Sequence, residues 1–188
     1  MAQEIQRQYV SQGRYGALVE VDTESKPRNR VALNIEIEEG EVAVISNINL
    51  VGNKTFADEE ILEIFELGTG GWFSFITNDD RYSREKLKGD IESLTSFYKN
   101  RGYVEFQLDS SQVTITPDKQ SVFITLNITE GETYEIGEIN IAGDLPIEEA
   151  VLRSLILVQP GDIFSQYYVT ETEEIFTNIL GNEGYSFA

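Results

Sequence analysis

Acidic side chains are the most abundant source of potential chemistry in this chain. Its 188 residues carry 33 acidic and 14 basic side chains, for a formal net charge of −19. Acidic pairs such as Glu148-Glu149 and Glu173-Glu174 are adjacent in sequence, and adjacent side chains diverge on a helix, so they make poor glycosidase pairs. The run Asn78-Asp79-Asp80 lacks the spacing and the glycine of an EF-hand calcium loop. We expect these groups to cap helices and to be solvated.

The absence of His and Cys removes most of the usual catalytic and metal-binding chemistry. It excludes Ser-His-Asp and Cys-His nucleophile systems, thiolate or imidazole zinc sites, and disulfides. No Gly-x4-Gly-Lys-Ser/Thr loop is present, and a pI near 4.2 disfavours nucleic acid as a partner. We therefore expect no enzyme, no cofactor, no metal and no nucleic acid. A carboxylate-dependent hydrolase is the disfavoured alternative.

The strand predicted for residues 104–116 changes the phase of its alternation. Val104, Phe106 and Leu108 share one parity, whereas Val113 and Ile115 share the other. A β-bulge at residues 109–111 would shift the phase by one residue, and bulges are common at sheet edges. The strands predicted at 42–51 and 134–142 show the same shift. Because the two agree, we interpret their shift as structural.

Two aromatic residues, Trp72 and Phe73, follow the Gly70-Gly71 pair in an irregular loop. They could be tucked over the predicted helices as part of the core. They could instead form an exposed aromatic anchor for a partner. The sequence leaves both readings open.

Internal repeats set the organisation of the elements that carry these residues. Residues 48–53 (INLVGN) recur as 139–144 (INIAGD), and residues 37–41 (IEEGE) recur as 128–132 (ITEGE). The period is roughly 90 residues, and the chain is out of phase with it. We predict three pieces: residues 1–40, the end of one repeat; residues 41–130, a complete repeat; and residues 131–188, the front of another. The chain is expected to be a fragment of a longer repeat protein.

The complete repeat is predicted to have the order β-α-α-β-β. Its elements are strand 42–51, helix 57–66, helix 83–100, strand 104–116 and strand 121–129. The first piece is predicted to hold a helix to residue 12 and strands 15–21 and 30–37. The last piece is predicted to hold strand 134–142 and helices 146–157 and 169–182.

These segments resemble POTRA (polypeptide-transport-associated) domains. The motifs are "NINLVGN", "FADEEIL", "SFYKNRGY" and "TLNITEGE", in tandem register. The resemblance implies an α+β fold of tandem POTRA repeats, each a three-stranded mixed sheet packed against two helices. More specifically, the segments resemble the POTRA arrays of outer-membrane protein assembly factors of Gram-negative bacteria. In such an array, this chain would cover the end of the second domain, all of the third and the front of the fourth.

The resemblance implies a periplasmic scaffold module of outer-membrane β-barrel protein assembly. Its partners would be unfolded outer-membrane proteins and accessory lipoproteins of the assembly complex. The full-length protein would be in the outer membrane, with these domains on its periplasmic face and membrane contact only through a C-terminal barrel absent from this chain. The alternative is a POTRA module of another transporter, such as a two-partner secretion protein.

In the POTRA fold, the strand at 104–116 lies at an edge of the sheet. An edge can accept an extended segment of another chain by β-augmentation. The expected partner-binding residues are Asp109, Ser110, Ser111, Gln112, Val113, Thr114, Ile115 and Thr116, with Trp72 and Phe73 as aromatic contacts. The incomplete end repeats are also expected to expose apolar residues, which could form a dimer by strand addition.

Overall fold

A computed structural model describes residues 1–70, 80–143, 147–182 and 184. The chain divides into two compact units. Unit one comprises Met1–Ser93 with Leu108–Ile128, and unit two comprises Leu94–Gln107 with Thr129–Ala188.

The described residues form helices and strands in mixed order, which confirms the predicted α+β class. The N-terminal elements are α1 (Ala2–Ser11), β1 (Leu18–Lys26) and β2 (Arg30–Glu38). The central elements are β3 (Val44–Val51), α2 (Asp58–Leu62), α3 (Arg84–Lys99), β4 (Gln107–Ile115) and β5 (Ser121–Thr129). The C-terminal elements are α4 (Glu149–Ser154) and α5 (Gln166–Asn182). The central elements follow the predicted β-α-α-β-β order.

The central sheet has three strands in the order β3-β5-β4. β3 runs parallel to β5, from Val44 opposite Ser121 to Val51 opposite Asn127, and the pairing register shifts between Ile45 and Asn47. Ser46 is therefore the extra residue of a bulge. The bulge explains why the buried residues of β3 change parity, and it confirms the structural reading of the phase shift in this strand.

One face of the sheet forms the core of unit one. Its buried apolar residues include Ile45, Ile48, Leu50, Ile61, Leu87, Val122, Ile124 and Leu126. Asp90 on α3 is also buried, at 3% exposure, and its two carboxylate oxygens accept the N–H groups of Glu66 at 2.6 Å and Leu67 at 3.1 Å. Burial raises the pKa of Asp90, and these two N–H groups oppose the rise. The carboxylate thus fixes the segment after α2 to α3.

Helix α2 is shorter than the helix predicted at residues 57–66. Beyond Leu62, the Ile64 N–H donates to the Ile61 carbonyl and the Phe65 N–H donates to the Leu62 carbonyl, so the chain tightens into i→i−3 bonds. The N–H groups of the next two residues are taken by Asp90 rather than by the helix.

The β1–β2 hairpin exposes its apolar side chains. Its strands pair from Leu18 opposite Glu38 to Lys26 opposite Arg30, around a turn in which Arg28 and Asn29 have positive φ. The exposed apolar residues of β2 are Val31, Leu33, Ile35 and Ile37. Among the described residues this sheet has only two strands.

The strand predicted for residues 134–142 is wrong. The structure has only an isolated antiparallel bridge between Glu135 and Ile163. Strand β3, its counterpart in the complete repeat, is ordered by parallel pairing with β5. Among the described residues no strand pairs in this way with residues 134–142, so the segment has no ladder of hydrogen bonds there. The helices predicted at 146–157 and 169–182 are observed at Glu149–Ser154 and Gln166–Asn182.

Candidate functional site

Strand β4 is an edge strand, as the sequence reading expects. The sheet order ends at β4, whose hydrogen-bonded neighbour is β5. The predicted residues 109–115 lie on β4, and Thr116 lies just beyond it. The Thr116 N–H donates to the Ser121 carbonyl at 3.0 Å, and the Thr116 hydroxyl accepts the Ser121 N–H at 3.0 Å. Thr116 therefore closes the hairpin turn, and among the described strands the one before it pairs with β5 alone.

The side chains of β4 change phase along the strand. Leu108 and Ser110 are half-buried at one parity, and Val113 and Ile115 are half-buried at the other. The Ser110 hydroxyl accepts a hydrogen bond from the Asn127 amide at 2.8 Å. The change falls between Ser110 and Val113, where the sequence alternation places it, and the bulge at residues 109–111 stays a prediction.

A groove of about 790 Å³ lies beside the far end of β4, within unit one. Strand β4 contributes Val113 and Ile115 to its wall, and α1 contributes residues that include Val10. Three polar side chains also line the groove. Tyr15 comes from the turn after α1, and Tyr82 and Arg84 come from the start of α3. The groove combines apolar side chains from two elements with two phenols and a guanidinium.

Three polar side chains of this groove have no protein partner among the described residues. In the described part of the chain, the side chains of Tyr15, Tyr82 and Arg84 make no hydrogen bond and no ion pair. Burial raises the pKa of Tyr15 to about 12; the neighbouring Tyr82 adds to the rise and the Arg84 guanidinium opposes it. The carboxylate of Glu85, also at the groove, accepts the Ser83 hydroxyl at 2.9 Å. Arg84, Tyr15 and Tyr82 therefore bring one guanidinium and two phenol hydroxyls to the groove.

Sequence reasoning found the edge strand but missed these three side chains. Tyr15 follows Gly13, and Tyr82 and Arg84 open a helix far away in the chain. Only the folded chain brings them beside Val113, and no spacing in the sequence signals it. The predicted aromatic contacts Trp72 and Phe73 lie outside the described residues.

The described residues offer no site for a metal ion. Among them, no group of three or more acidic side chains converges on one point. No helix in the described ranges is both long enough and apolar enough to cross a bilayer.

Comparison with known proteins identifies the repeats. A family model described as "POTRA: Surface antigen variable number repeat" matches residues 43–131 and again residues 134–188. The outer membrane protein assembly factor BamA of Neisseria meningitidis serogroup B is 26% identical over 185 residues, which is 98% of this chain and 23% of the relative. BamA of Buchnera aphidicola is 29% identical over 158 residues, covering 84% of this chain and 25% of the relative. The chain thus spans about a quarter of the length of these relatives.

A solved structure agrees with the sequence matches. The crystal structure of Haemophilus influenzae BamA POTRA3-5 superposes with a TM-score of 0.58 at 16% identity, covering 95% of this chain and 67% of that one. At this identity the likeness supports the fold alone, and the fold is that of tandem POTRA domains. Since the family model covers most of the chain in two consecutive matches, the chain belongs to the POTRA family.

Proposed function

We propose that this chain is a periplasmic scaffold module of the outer-membrane β-barrel protein assembly machinery. It docks unfolded outer-membrane proteins and accessory lipoproteins, and it performs no catalysis. Support comes from its POTRA repeats and from relatives that carry the name of outer membrane protein assembly factor. This favours assembly over the alternative of two-partner secretion.

The observation that carries the docking proposal is the edge position of β4. Its outer N–H and C=O groups can pair with an extended segment of another chain, and such pairing reads backbone rather than side-chain identity. An added strand of a few residues contributes roughly 0.5–1.5 kcal/mol per hydrogen bond and must offset several kcal/mol of ordering cost. Affinity in the micromolar range, with fast release, suits a scaffold that passes clients onward.

Residues 41–130 form the complete module in this proposal, flanked by the end of one repeat (1–40) and the front of another (131–188). The exposed apolar side chains of β2, such as Val31 and Leu33, provide a surface on which a second copy could add a strand. Sedimentation over a concentration series tests the dimer, and a monomer at all concentrations would exclude it.

A proline scan of the edge tests the docking site. The Thr116 N–H points toward β5, and alternate residues of a strand direct their N–H groups to opposite sides, so the N–H of Val113 points outward. Val113→Pro removes this outward donor, whereas Val113→Ile keeps it. The probe is a fluorescent synthetic peptide of alternating Val and Thr, titrated by anisotropy. We expect Val113→Pro to weaken binding at least about tenfold, corresponding to roughly 1.4 kcal/mol, and Val113→Ile to leave it unchanged.

The outcome depends on the variant being folded. Circular dichroism and slow amide exchange at the central strand β5 establish this, since β5 is covered on both edges. If the folded Val113→Pro chain kept full affinity for the peptide, β4 would not be the docking edge.

A further inference from the structure

We propose that the groove beside β4 selects, among extended client segments, those that place a carboxylate opposite Arg84, Tyr15 and Tyr82. This rests on the proposed docking at β4 and assigns it a side-chain preference. The partner is an extended peptide with alternating apolar side chains and one Asp or Glu.

The apolar part of this preference comes from Val113 and Ile115. Both side chains are half-buried and project into the groove, where Val10 of α1 also lies. An added strand places alternate side chains on the same face of the sheet as its neighbour. Apolar side chains of a guest paired with β4 would therefore contact Val113 and Ile115 and leave water.

The acidic part comes from three unsatisfied donors in the same groove. A guanidinium offers a planar fork of N–H groups that matches a carboxylate, and each phenol adds one O–H. Arg84 is exposed, and its guanidinium makes no ion pair within the described ranges. The carboxylate of the adjacent Glu85 accepts the Ser83 hydroxyl at 2.9 Å. Hydrogen bonds from its own backbone N–H and from Ser83 lower the pKa of Glu85, and the nearby Arg84 charge contributes to this lowering, so a guest carboxylate would share Arg84 with Glu85.

The negative charge of the whole chain confines this preference for a carboxylate to short range, within the groove. The chain carries a net charge of −19, so an acidic guest is repelled at long range. Arg7 lies at the groove beside α1 and is paired with Glu4 at 3.5 Å, both groups being exposed. Of the two arginines that line the groove, Arg84 is the one without an ion-pair partner among the described residues, and a single carboxylate fits it better than a run of acidic residues.

Two synthetic peptides on the full chain test the proposal. One alternates Val and Thr around a central Glu, and the other has Gln in its place. We expect the Glu peptide to bind roughly tenfold more tightly, as a charge-assisted hydrogen bond would give. Arg84→Gln should abolish the difference, and Tyr15→Phe should reduce it.

A matched control is Lys88→Gln on the same helix. Lys88 is exposed and lies 3.6 Å from Glu92, and its loss removes the same charge without touching the groove lining. It should leave the Glu preference intact. Arg84→Gln should fold normally, because a cation in the first turn of a helix contributes nothing favourable to the helix dipole.

The outcomes separate this inference from the docking proposal. If both peptides bind equally and Val113→Pro weakens both, docking at β4 stands and the carboxylate preference is overturned. If Lys88→Gln reduces the preference as much as Arg84→Gln, the effect is long-range charge and the groove is not its source. If neither peptide binds, both proposals fail.

Discussion

Two corners of the chain share one backbone arrangement but differ in the side chains that cover it. The N-terminal corner consists of Tyr9, Gly13, Glu39, Gly40 and Ala43, and the C-terminal corner consists of their repeat equivalents Tyr98, Gly102, Glu130, Gly131 and Tyr134. In the first, the Ala43 N–H donates to the Gly13 carbonyl at 2.9 Å. In the second, the Tyr134 N–H donates to the Gly102 carbonyl, also at 2.9 Å. All four glycines have positive φ.

Each corner also joins a tyrosine hydroxyl to a glutamate. Tyr98 donates to Glu130 Oε1 at 2.9 Å in a buried bond, whereas Tyr9 donates to Glu39 Oε1 at 3.4 Å in an exposed one. The two hydrogen bonds differ in the side chains that pack around the tyrosine ring. The Tyr98 ring is fully buried, stacks on Phe106 at 4.4 Å and meets Tyr103 edge-on at 5.5 Å.

The equivalents of Phe106 and Tyr103 in the N-terminal corner are Ala17 and Arg14. Ala17 is buried but too small to stack, and Arg14 donates to the Gly40 carbonyl at 2.6 Å. The repeat therefore fixes the backbone bonds, and the aromatic residues determine how strongly they are protected from water.

The largest expected effect is that of removing the covered ring. Tyr98→Ala deletes a fully buried aromatic side chain, and we expect a loss of about 3–5 kcal/mol in the stability of the C-terminal corner. Tyr9→Ala in the N-terminal corner should cost no more than about 1 kcal/mol. Native-state hydrogen exchange at the Tyr134 and Ala43 amides measures each corner through its own shared bond. Equal losses of stability in the two corners would show that the aromatic residues packed around Tyr98 do not protect its corner.

Much of this comparison was visible in the sequence, and some was not. The recurrence of the Gly–Glu motifs about every 90 residues predicted the repeats. The phase change in β3 indicated a structural irregularity, which the structure shows to be a bulge. Local patterns sufficed there, because turns and alternation depend on neighbouring residues. The strand predicted at 134–142 failed because a strand also needs a partner, and the pattern does not report whether one is present.

In the candidate site too, one part could be predicted from the sequence and another part could not. The edge position of Val113 and Ile115 followed from the resemblance and is confirmed by the sheet order. Their grouping with Tyr15, Tyr82 and Arg84 depends on how α1, α3 and β4 pack, which is a tertiary property. No local spacing could have predicted it.

The second largest effect tests the shared backbone. A Cβ at Gly40 would lie 3.1 Å from the Gly16 carbonyl carbon, and one at Gly131 would lie 3.1 Å from Glu105 Cβ. Both glycines also have positive φ, so Gly→Ala at either should cost about 1–3 kcal/mol, measured at the same two amides.

Gly161→Ala provides the matched control. Gly161 has a φ of +93° and open space around its Cβ position, so alanine there adds strain without a clash. If Gly161→Ala lowered stability as much as Gly40→Ala and Gly131→Ala, the short contacts of the added Cβ would contribute nothing at the corners.

A smaller effect separates the hydrogen bond from the ring. Tyr98→Phe keeps the stacking on Phe106 and removes the hydroxyl that donates to the buried carboxylate of Glu130. We expect a cost of about 1–2 kcal/mol at the Tyr134 amide. Tyr9→Phe should change the Ala43 amide by less than about 0.5 kcal/mol, because water replaces the lost donor at an exposed site. A larger loss from Tyr9→Phe would overturn the distinction.

The smallest effect concerns a second pair of equivalent positions, Asp90 and Thr172. The Asp90 carboxylate accepts two backbone N–H groups, whereas the Thr172 hydroxyl accepts one, from Leu157 at 3.2 Å in an exposed bond. Burial is the largest influence on Asp90 and raises its pKa, and the two N–H donors lower it again. Only the complete repeat therefore carries a buried titrating group at this position.

The sign of its pH dependence follows from linkage. Since the pKa of Asp90 is higher in the folded state than in the unfolded state, protonation favours folding, and this contribution is lost as pH rises through the folded pKa. Asp90→Asn does not titrate, so the free energy of unfolding of the wild type minus that of Asp90→Asn should be larger at pH 3 than at pH 7. Taking this difference cancels the titration of the other carboxylates. The corresponding difference for Thr172→Val should not vary with pH, and a difference for Asp90→Asn that shrinks on acidification would mean that the two N–H donors outweigh burial.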